Sequence, residues 1–136
     1  MSIKTGGVHH IALTVSDVVR ARDFYHRILG MDIMMDNAEN GFAAFTNGAL
    51  LLSTHLPPDP SHTPANDNFS EHRMGLDHLS LSVDSRADLE AAIKLFDEND
   101  VPHGDIKDLS GGGFPILVLA FRDPDNIQLE LTAPAE

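Results

Sequence analysis

The sequence predicts an α+β fold built from two tandem modules, each of which consists of a strand, a helix and three further strands. The same order of period-two and helical patterns occurs twice along the 136 residues. His78 follows His10 at half the chain length, and a residue able to cap a helix comes at the same interval after each histidine. Because a proline-rich segment separates the copies, we expect one domain, residues 1–136, with modules at 1–56 and 76–136 and a linker loop at 57–75.

The first module begins with a strand, because apolar and more polar side chains alternate from Val8 to Val15. His9 falls on the apolar, helix-facing side of this alternation. Ser16 or Asp17 can cap the helix that follows. The remaining three strands are predicted at 31–35, 42–46 and 49–55, with the turn residues Asn47-Gly48 between the last two.

The second module repeats this order. A period-two pattern from Asp77 to Val83 predicts its first strand, and Ser85 with Asp88 forms a capping box for the next helix, which ends near Asp100. Pro102 begins a short strand or connector. The last two strands are predicted at 116–122 and 127–132, around the turn Asp123-Pro124-Asp125-Asn126. Aligning this turn with Asn47-Gly48 makes Leu52 the counterpart of Glu130.

Composition limits the classes of function. The chain has 9 basic and 21 acidic side chains and a net charge of −12 with histidine neutral, which argues against nucleic acid and anionic membranes as partners. The absence of cysteine excludes thiol nucleophiles, cysteine-ligated zinc and iron–sulfur clusters, and fits a reducing compartment. No apolar run approaches a membrane span and no signal peptide is recognisable, so we expect a cytoplasmic protein.

Three side chains could form a catalytic metal site. His10 and His78 alternate with the apolar side chains of the two opening strands, and Glu130 occupies the corresponding face of the last strand. Two imidazoles and one carboxylate leave open coordination positions, which suits a catalytic Fe2+, Mn2+, Ni2+ or Zn2+ ion. The alternative is that the histidines are ordinary hydrogen-bonded strand residues and that Glu130 is an edge charge.

The chain resembles the vicinal oxygen chelate superfamily, which includes glyoxalase I, bleomycin-resistance proteins, extradiol dioxygenases and fosfomycin-resistance enzymes. The resemblance covers nearly the whole chain except the linker. It rests on three motifs, which are His10-x-x-Leu13-x-Val15-x-Asp17, Phe24-Tyr25-x-x-x-Leu29-Gly30 and Asp123-Pro124-Asp125-Asn126-x-x-Leu129-Glu130.

The resemblance implies a glyoxalase/bleomycin resistance/dioxygenase-like fold, in which the tandem βαβββ modules form a curved, cup-shaped mixed sheet. It also implies a divalent metal ion bound by His10, His78 and Glu130, with Glu130 as the catalytic residue. Substrates of such proteins chelate the metal through adjacent oxygen atoms, and the metal acts as a Lewis acid. Relatives of this size usually pair, so the resemblance implies a homodimer.

Individual positions depart from the best-known members. Leu52 stands where glyoxalase I has a glutamate, and Ala120 stands where extradiol dioxygenases have a tyrosine. We therefore expect neither efficient methylglyoxal–thiol isomerisation nor efficient catechol cleavage. Fosfomycin-resistance enzymes have a threonine at the position of Ala12 and a cationic pocket, which this acidic chain does not match.

The function expected from the sequence is that of a metal-dependent lyase, isomerase or dioxygenase acting on a small substrate with vicinal oxygens. The alternative is a non-catalytic protein that binds and sequesters a drug, as bleomycin-resistance proteins do. The net charge of −12 suits a cationic drug, but this alternative leaves His10, His78 and Glu130 without a role. A third possibility is a regulatory domain that uses the fold only as a scaffold.

Overall fold

The computed structural model describes residues 1–135 and divides into two compact units. The first unit spans Met1–Pro64 and the second begins at Ala65. Each unit contains a four-stranded mixed sheet with one parallel and two antiparallel strand pairs. The predicted α+β class and the tandem strand, helix and three-strand order are confirmed.

The first unit follows the predicted order. Its elements are β1 (Ile11–Thr14), α1 (Val18–Asp23), β2 (Asp32–Asn37), β3 (Phe42–Thr46) and β4 (Leu51–His55), and its sheet order is β1-β4-β3-β2. Asp17 caps α1 by accepting a hydrogen bond from the Arg20 amide at 3.0 Å. The helix then continues as one π-helical segment, Phe24–Ile28, and the chain turns at Gly30 with φ of 70°.

The second unit repeats the arrangement with a longer helix. Its elements are β5 (Leu79–Ser82), α2 (Arg86–Glu98), β6 (Lys107–Asp108), β7 (Ile116–Arg122) and β8 (Gln128–Pro134), and its sheet order is β5-β8-β7-β6. The predicted capping box is present, with reciprocal hydrogen bonds between Ser85 and Asp88. Pro102 leads into a single bridge between His103 and Phe121 and not into a full strand.

Each helix packs on one face of its own sheet and so separates a buried face from a more accessible one. In the first unit α1 lies on β3 and β4, where Phe45 and Leu52 are fully buried. In the second unit α2 lies on β7 and β8, where Leu119 and Leu129 are fully buried. Glu130 alternates with these buried residues along β8 and therefore faces away from α2.

The strand register corrects the alignment of the two units. Ala12 of β1 pairs with Ser53, whereas Ser80 of β5 pairs with Glu130. Ser53, and not Leu52, is therefore the counterpart of Glu130. The reason is that the loop between β7 and β8 has one residue more than the loop between β3 and β4, and a one-residue slip moves a side chain to the opposite face of the sheet.

The predicted linker at 57–75 is only partly without structure. It contains a short 3-10 turn at Pro60–His62, and its later part, which belongs to the second unit, is hydrogen bonded to the turn between β7 and β8. The amide of Phe69 donates to the carbonyl of Asp125 at 3.1 Å, and the Asn126 side chain donates to the Phe69 carbonyl at 2.9 Å. Within residues 1–135, no helix is long and apolar enough to cross a membrane.

Candidate metal centre

The face of the second sheet that points away from α2 contains the predicted ligand Glu130. We call this face the polar face and define it by Ser80 of β5, Glu130 and Thr132 of β8, and Ala120 and Arg122 of β7. In the ladder, Glu130 lies between Ser80 on one side and Ala120 on the other. The Glu130 side chain is 18% exposed, so its carboxylate is largely withdrawn from solvent.

His78 precedes β5 directly and reaches Glu130. Its Nε2 atom lies 3.6 Å from Oε1 of Glu130. On the other side of the ring, Nδ1 lies 2.7 Å from Oδ1 of Asp77. The imidazole is therefore held between two carboxylates, one at each nitrogen. A hydrogen bond from Nδ1 to an outer carboxylate is the arrangement that commonly orients a metal-ligating histidine.

Two hydroxyl groups continue this network beyond Glu130. Thr132 Oγ1 donates to Oε1 of Glu130 at 3.3 Å, and Oγ of Ser80 lies 2.5 Å from the same threonine oxygen. Because the threonine proton is directed to the carboxylate, the Ser80 hydroxyl donates to Thr132. The hydroxyl pair holds one carboxylate oxygen of Glu130 in place on the polar face.

His10 occupies the equivalent position in the first unit, because it precedes β1 as His78 precedes β5. It is exposed, and its Nδ1 atom lies 2.8 Å from Nδ1 of His9. The expectation that His9 faces the helix side is wrong. The strand begins only at Ile11, so the alternation of the strand does not extend to His9.

The donor atoms present fit a divalent cation in part. His78 and Glu130 supply one imidazole nitrogen and one carboxylate oxygen that face each other, a set suited to Fe2+, Mn2+, Ni2+ or Zn2+. Within residues 1–135 no group of three or more such side chains is arranged around one point. The structure thus brings together two of the three predicted ligands, while His10 belongs to the other unit and its part in a site stays a prediction.

Arg122 has a partner that the sequence did not indicate. The Arg122 guanidinium donates to both carboxylate oxygens of Glu71 at 2.9 Å. The hydrogen bonds from Arg122 lower the pKa of Glu71 to about 2. Glu71 lies in the segment predicted as a linker, where no periodic pattern signals a contact.

A cavity of about 300 Å³ lies between β7 and the segment 102–104. Its walls include Ala120, which pairs directly with Glu130, and Arg122. Ala120 leaves this side of the carboxylate without a bulky neighbour in the ladder. The other residues that line the cavity are Pro102, His103, Gly104 and Phe121.

His103, at the wall of this cavity, has a hydrogen-bond partner at each ring nitrogen. Its Nε2 atom lies 2.7 Å from Oδ1 of Asp97, and its Nδ1 atom lies 2.6 Å from the carbonyl oxygen of Gly104. Both partners only accept hydrogen bonds, so these contacts favour the doubly protonated ring. The hydrogen bond with Asp97 is the main cause that raises the pKa of His103.

Comparison with known proteins agrees with this architecture. Residues 7–131 match the model of the Glyoxalase/Bleomycin resistance protein/Dioxygenase superfamily. A curated relative, the uncharacterized protein YwkD of Bacillus subtilis, is 27% identical over 131 residues, which is 91% of this chain and 94% of the relative.

Solved structures show the same fold. A glyoxylase/bleomycin resistance protein/dioxygenase domain from Frankia sp. EAN1pec aligns with a TM-score of 0.77 at 31% identity, over 98% of this chain and 95% of its own. Lactoylglutathione lyase from Agrobacterium tumefaciens aligns with a TM-score of 0.70 at 20% identity, over 96% of each chain. The matched residues span most of both repeated units and include Ser80, Ala120, Arg122 and Glu130 of the polar face. The chain therefore belongs to the Glyoxalase/Bleomycin resistance protein/Dioxygenase superfamily.

Proposed function

We propose that this protein is a metal-dependent enzyme that acts on a small molecule with vicinal oxygen atoms. The observation that supports the proposal most directly is the placement of His78 Nε2 and Glu130 Oε1 opposite each other at 3.6 Å. Membership of a superfamily that includes lyases and other enzymes adds support. The reaction is of the lyase, isomerase or dioxygenase type.

In this proposal His78 and Glu130 are metal ligands, and His10 is the third. Bound metal would supply a Lewis acid that polarises substrate oxygens. Thr132 holds one of these ligands in position, because its hydroxyl donates to one oxygen of Glu130. Among residues 1–135 no side chain donates a hydrogen bond to the second oxygen of Glu130, so Glu130 is also the candidate catalytic residue for proton transfer.

The cavity beside Ala120 is the proposed place for the substrate. Its volume of about 300 Å³ lies at the lower end of the range for small-molecule sites, which favours a small substrate. We do not propose a glyoxalase I reaction that uses a first-unit glutamate. Neither Leu52 nor Ser53, the corrected first-unit counterpart of Glu130, has a carboxylate.

Calorimetric titration with Mn2+, Fe2+, Ni2+ and Zn2+ tests the proposal, with Fe2+ added under anaerobic conditions. We expect one of these ions to bind the wild type at a molar ratio near one. His78→Ala, Glu130→Ala and His10→Ala should each remove that binding, because each deletes a ligand. His72→Ala is the matched control, since His72 is exposed and lies outside the proposed site.

Two results would contradict the proposal. If the wild type and His78→Ala bind metal equally, the assigned ligand is wrong. If the folded wild type binds none of the four ions, the protein is not a metal-dependent enzyme of this kind. Loss of binding in His72→Ala would show that the variants act through a general effect on the chain.

Sequestration of a cationic drug is the second candidate function. The net charge of −12 favours it, because an acidic protein attracts a cationic ligand. Elemental analysis of protein purified without chelator separates the candidates. A stoichiometric metal supports the enzyme, and metal-free folded protein that binds a cationic aromatic compound supports the binder.

We also propose that the protein is a cytoplasmic homodimer. The absence of cysteine is compatible with a reducing compartment. The edge strand β2 exposes all six of its residues, including Met34 and Met35, and such an edge gains from being covered.

A further inference from the structure

A chain of hydrogen bonds reaches His78 from β7 through two residues outside the proposed ligand set. Arg122 Nη2 donates to Oε1 of Gln128 at 3.5 Å. Gln128 Nε2 then donates to Oδ1 of Asp77 at 2.9 Å and to the Asp77 carbonyl at 3.2 Å. Oδ1 of Asp77 also contacts Nδ1 of His78 at 2.7 Å. Each link has one physically allowed direction.

Arg122 fixes the orientation of the Gln128 amide. A guanidinium group only donates hydrogen bonds, so it must face the amide oxygen of Gln128. The amide nitrogen then faces Asp77, whose two contacting oxygens only accept. In the reversed orientation the nitrogen would face a donor and the oxygen would face two acceptors, so every contact would be repulsive.

Asp77 in turn fixes the proton on His78. An ionised carboxylate has no proton to donate, so the short contact at 2.7 Å requires that Nδ1 of His78 carries the hydrogen. In the neutral ring the lone pair is then on Nε2, the atom that faces Glu130 at 3.6 Å. This assignment follows from the contacts of the second unit alone.

We propose that Asp77 and Gln128 are positioning residues that hold neutral His78 as the Nδ1–H tautomer and direct its Nε2 lone pair toward Glu130. The tautomer does not depend on the proposed function, whereas the use of Nε2 as a metal ligand rests on it. Asp77 acts directly on the ring, and Gln128 acts by holding the Asp77 carboxylate.

The first unit has no equivalent of the Asp77 and Gln128 side chains beside its histidine. His10 contacts His9 through Nδ1 of both rings, and either nitrogen can be the donor. No acceptor-only group fixes the direction of that hydrogen bond. His10 therefore provides an internal comparison in the same spectrum, and we expect its tautomer to be mixed.

Nitrogen-15 NMR of histidine-labelled protein without added metal tests the proposal at about pH 9, where an ordinary histidine ring is neutral. The His78 signals are identified by their loss in His78→Ala. In the wild type we expect Nδ1 to give the shift of a protonated nitrogen and Nε2 that of an unprotonated one. A predominantly Nε2–H ring in the wild type would overturn the proposal, whatever the variants do.

Three variants measure how much Asp77 and Gln128 each contribute to the tautomer of His78. Asp77→Ala should move His78 toward the Nε2–H tautomer that free histidine prefers, and Asp77→Asn should restore Nδ1–H in part because it keeps an acceptor oxygen. Gln128→Leu should produce a smaller shift than Asp77→Ala. Asp32→Ala, which removes one exposed carboxylate from the first unit, is the charge-matched control. If the His78 tautomer is unchanged in Asp77→Ala, a group other than Asp77 sets the tautomer, and the positioning role of Asp77 is wrong.

Calorimetry then separates this inference from the proposed function. If both hold, Asp77→Ala weakens metal binding by about 10- to 100-fold, the usual effect of losing an outer hydrogen-bond partner. If the wild type shows the Nδ1–H tautomer but binds no metal, the proposed function fails and the positioning role stands. If metal binds with equal affinity to the wild type and Asp77→Ala while the tautomer changes, Nε2 of His78 is not the ligating atom.

Discussion

The two units share one backbone plan, but the side chains that could perform chemistry are concentrated in the second. Where the second unit has Glu130 next to Ser80 in the sheet, the first has Ser53 next to Ala12. Asp77 precedes His78, whereas His9 precedes His10. The duplicated scaffold thus retains a histidine before each opening strand, while the carboxylates that can orient it or join it in binding a metal are present in only one copy.

The turns between the last two strands explain how the units diverged in register. In the first unit Asn47 accepts hydrogen bonds from the amides of Ala49 and Leu50, which closes a four-residue loop. In the second unit the buried carboxylate of Asp123 accepts from the amides of Asp125 and Ile127, which closes a five-residue loop. The Asp-Pro-Asp-Asn motif is therefore a turn that sets the register of Glu130.

The largest expected change in the free energy of unfolding tests the register that makes Ser53 the counterpart of Glu130. Leu52 is only 1% exposed beneath α1, so Leu52→Glu would bury a carboxylate without a partner and should lower the free energy of unfolding by at least about 3 kcal/mol. Ser53 is half-buried on the opposite face, and Ser53→Glu should cost less than about 1 kcal/mol. Urea unfolding monitored by circular dichroism measures both values.

The alignment that equates Leu52 with Glu130 predicts the reverse order. If Leu52→Glu is tolerated and Ser53→Glu unfolds the first unit, the strand pairing described for β1 and β4 is wrong. Ser53→Ala controls for the loss of the serine hydroxyl, and it should leave the free energy of unfolding within about 0.5 kcal/mol of the wild type.

The sequence predicted the elements well because their signals are local. Alternation over β5, the capping box at Ser85 and the polar face of β8 depend only on neighbouring residues, and the structure confirms each. The equivalence of Leu52 and Glu130 failed because it depends on loop length. Turn residues mark where a hairpin is, but only the hydrogen bonds made by Asn47 and Asp123 determine how many residues it contains.

A second difference between the units is the clamp between Glu71 and Arg122. Arg122 is the last residue of β7 and pairs with the first residue of β8, and Thr46 holds the equivalent place in the first unit. The Thr46 hydroxyl accepts a hydrogen bond from the amide of Gly48 at 3.0 Å. Arg122 therefore fastens a preceding chain segment to the sheet through an ion pair, which the uncharged Thr46 cannot do.

This clamp predicts a pH dependence. Interaction with Arg122 lowers the pKa of Glu71 from 4.5 to about 2, so the stabilisation is fully present above about pH 4.5 and is lost as the pH falls toward 2. Glu71→Gln should lower the urea midpoint at pH 6 and flatten its fall between pH 4.5 and 2. The midpoints of the wild type and the variant should converge at the acid end.

Glu39→Gln is the matched control, because Glu39 is exposed in the first unit. It should leave the midpoint unchanged at pH 6. Equal acid dependence in the wild type and Glu71→Gln would mean that the ion pair contributes nothing to stability in solution. The sequence could not reveal this contact, since Glu71 and Arg122 are far apart in the chain and no pattern connects them.

The smallest expected change in the free energy of unfolding concerns Thr54, on the buried face of the first sheet. Thr54 is fully buried, and its Oγ1 atom has no hydrogen-bond partner within residues 1–135, whereas the equivalent residue of the second unit is the apolar Leu131. Because an unsatisfied buried hydroxyl is unfavourable, Thr54→Val should raise the free energy of unfolding by about 1 kcal/mol while keeping the shape of the side chain. Thr14→Val, at an exposed position of β1, should change it by less than about 0.5 kcal/mol. If Thr54→Val instead destabilises the protein, the hydroxyl has a partner in solution, and the first unit is polar inside where the second is apolar.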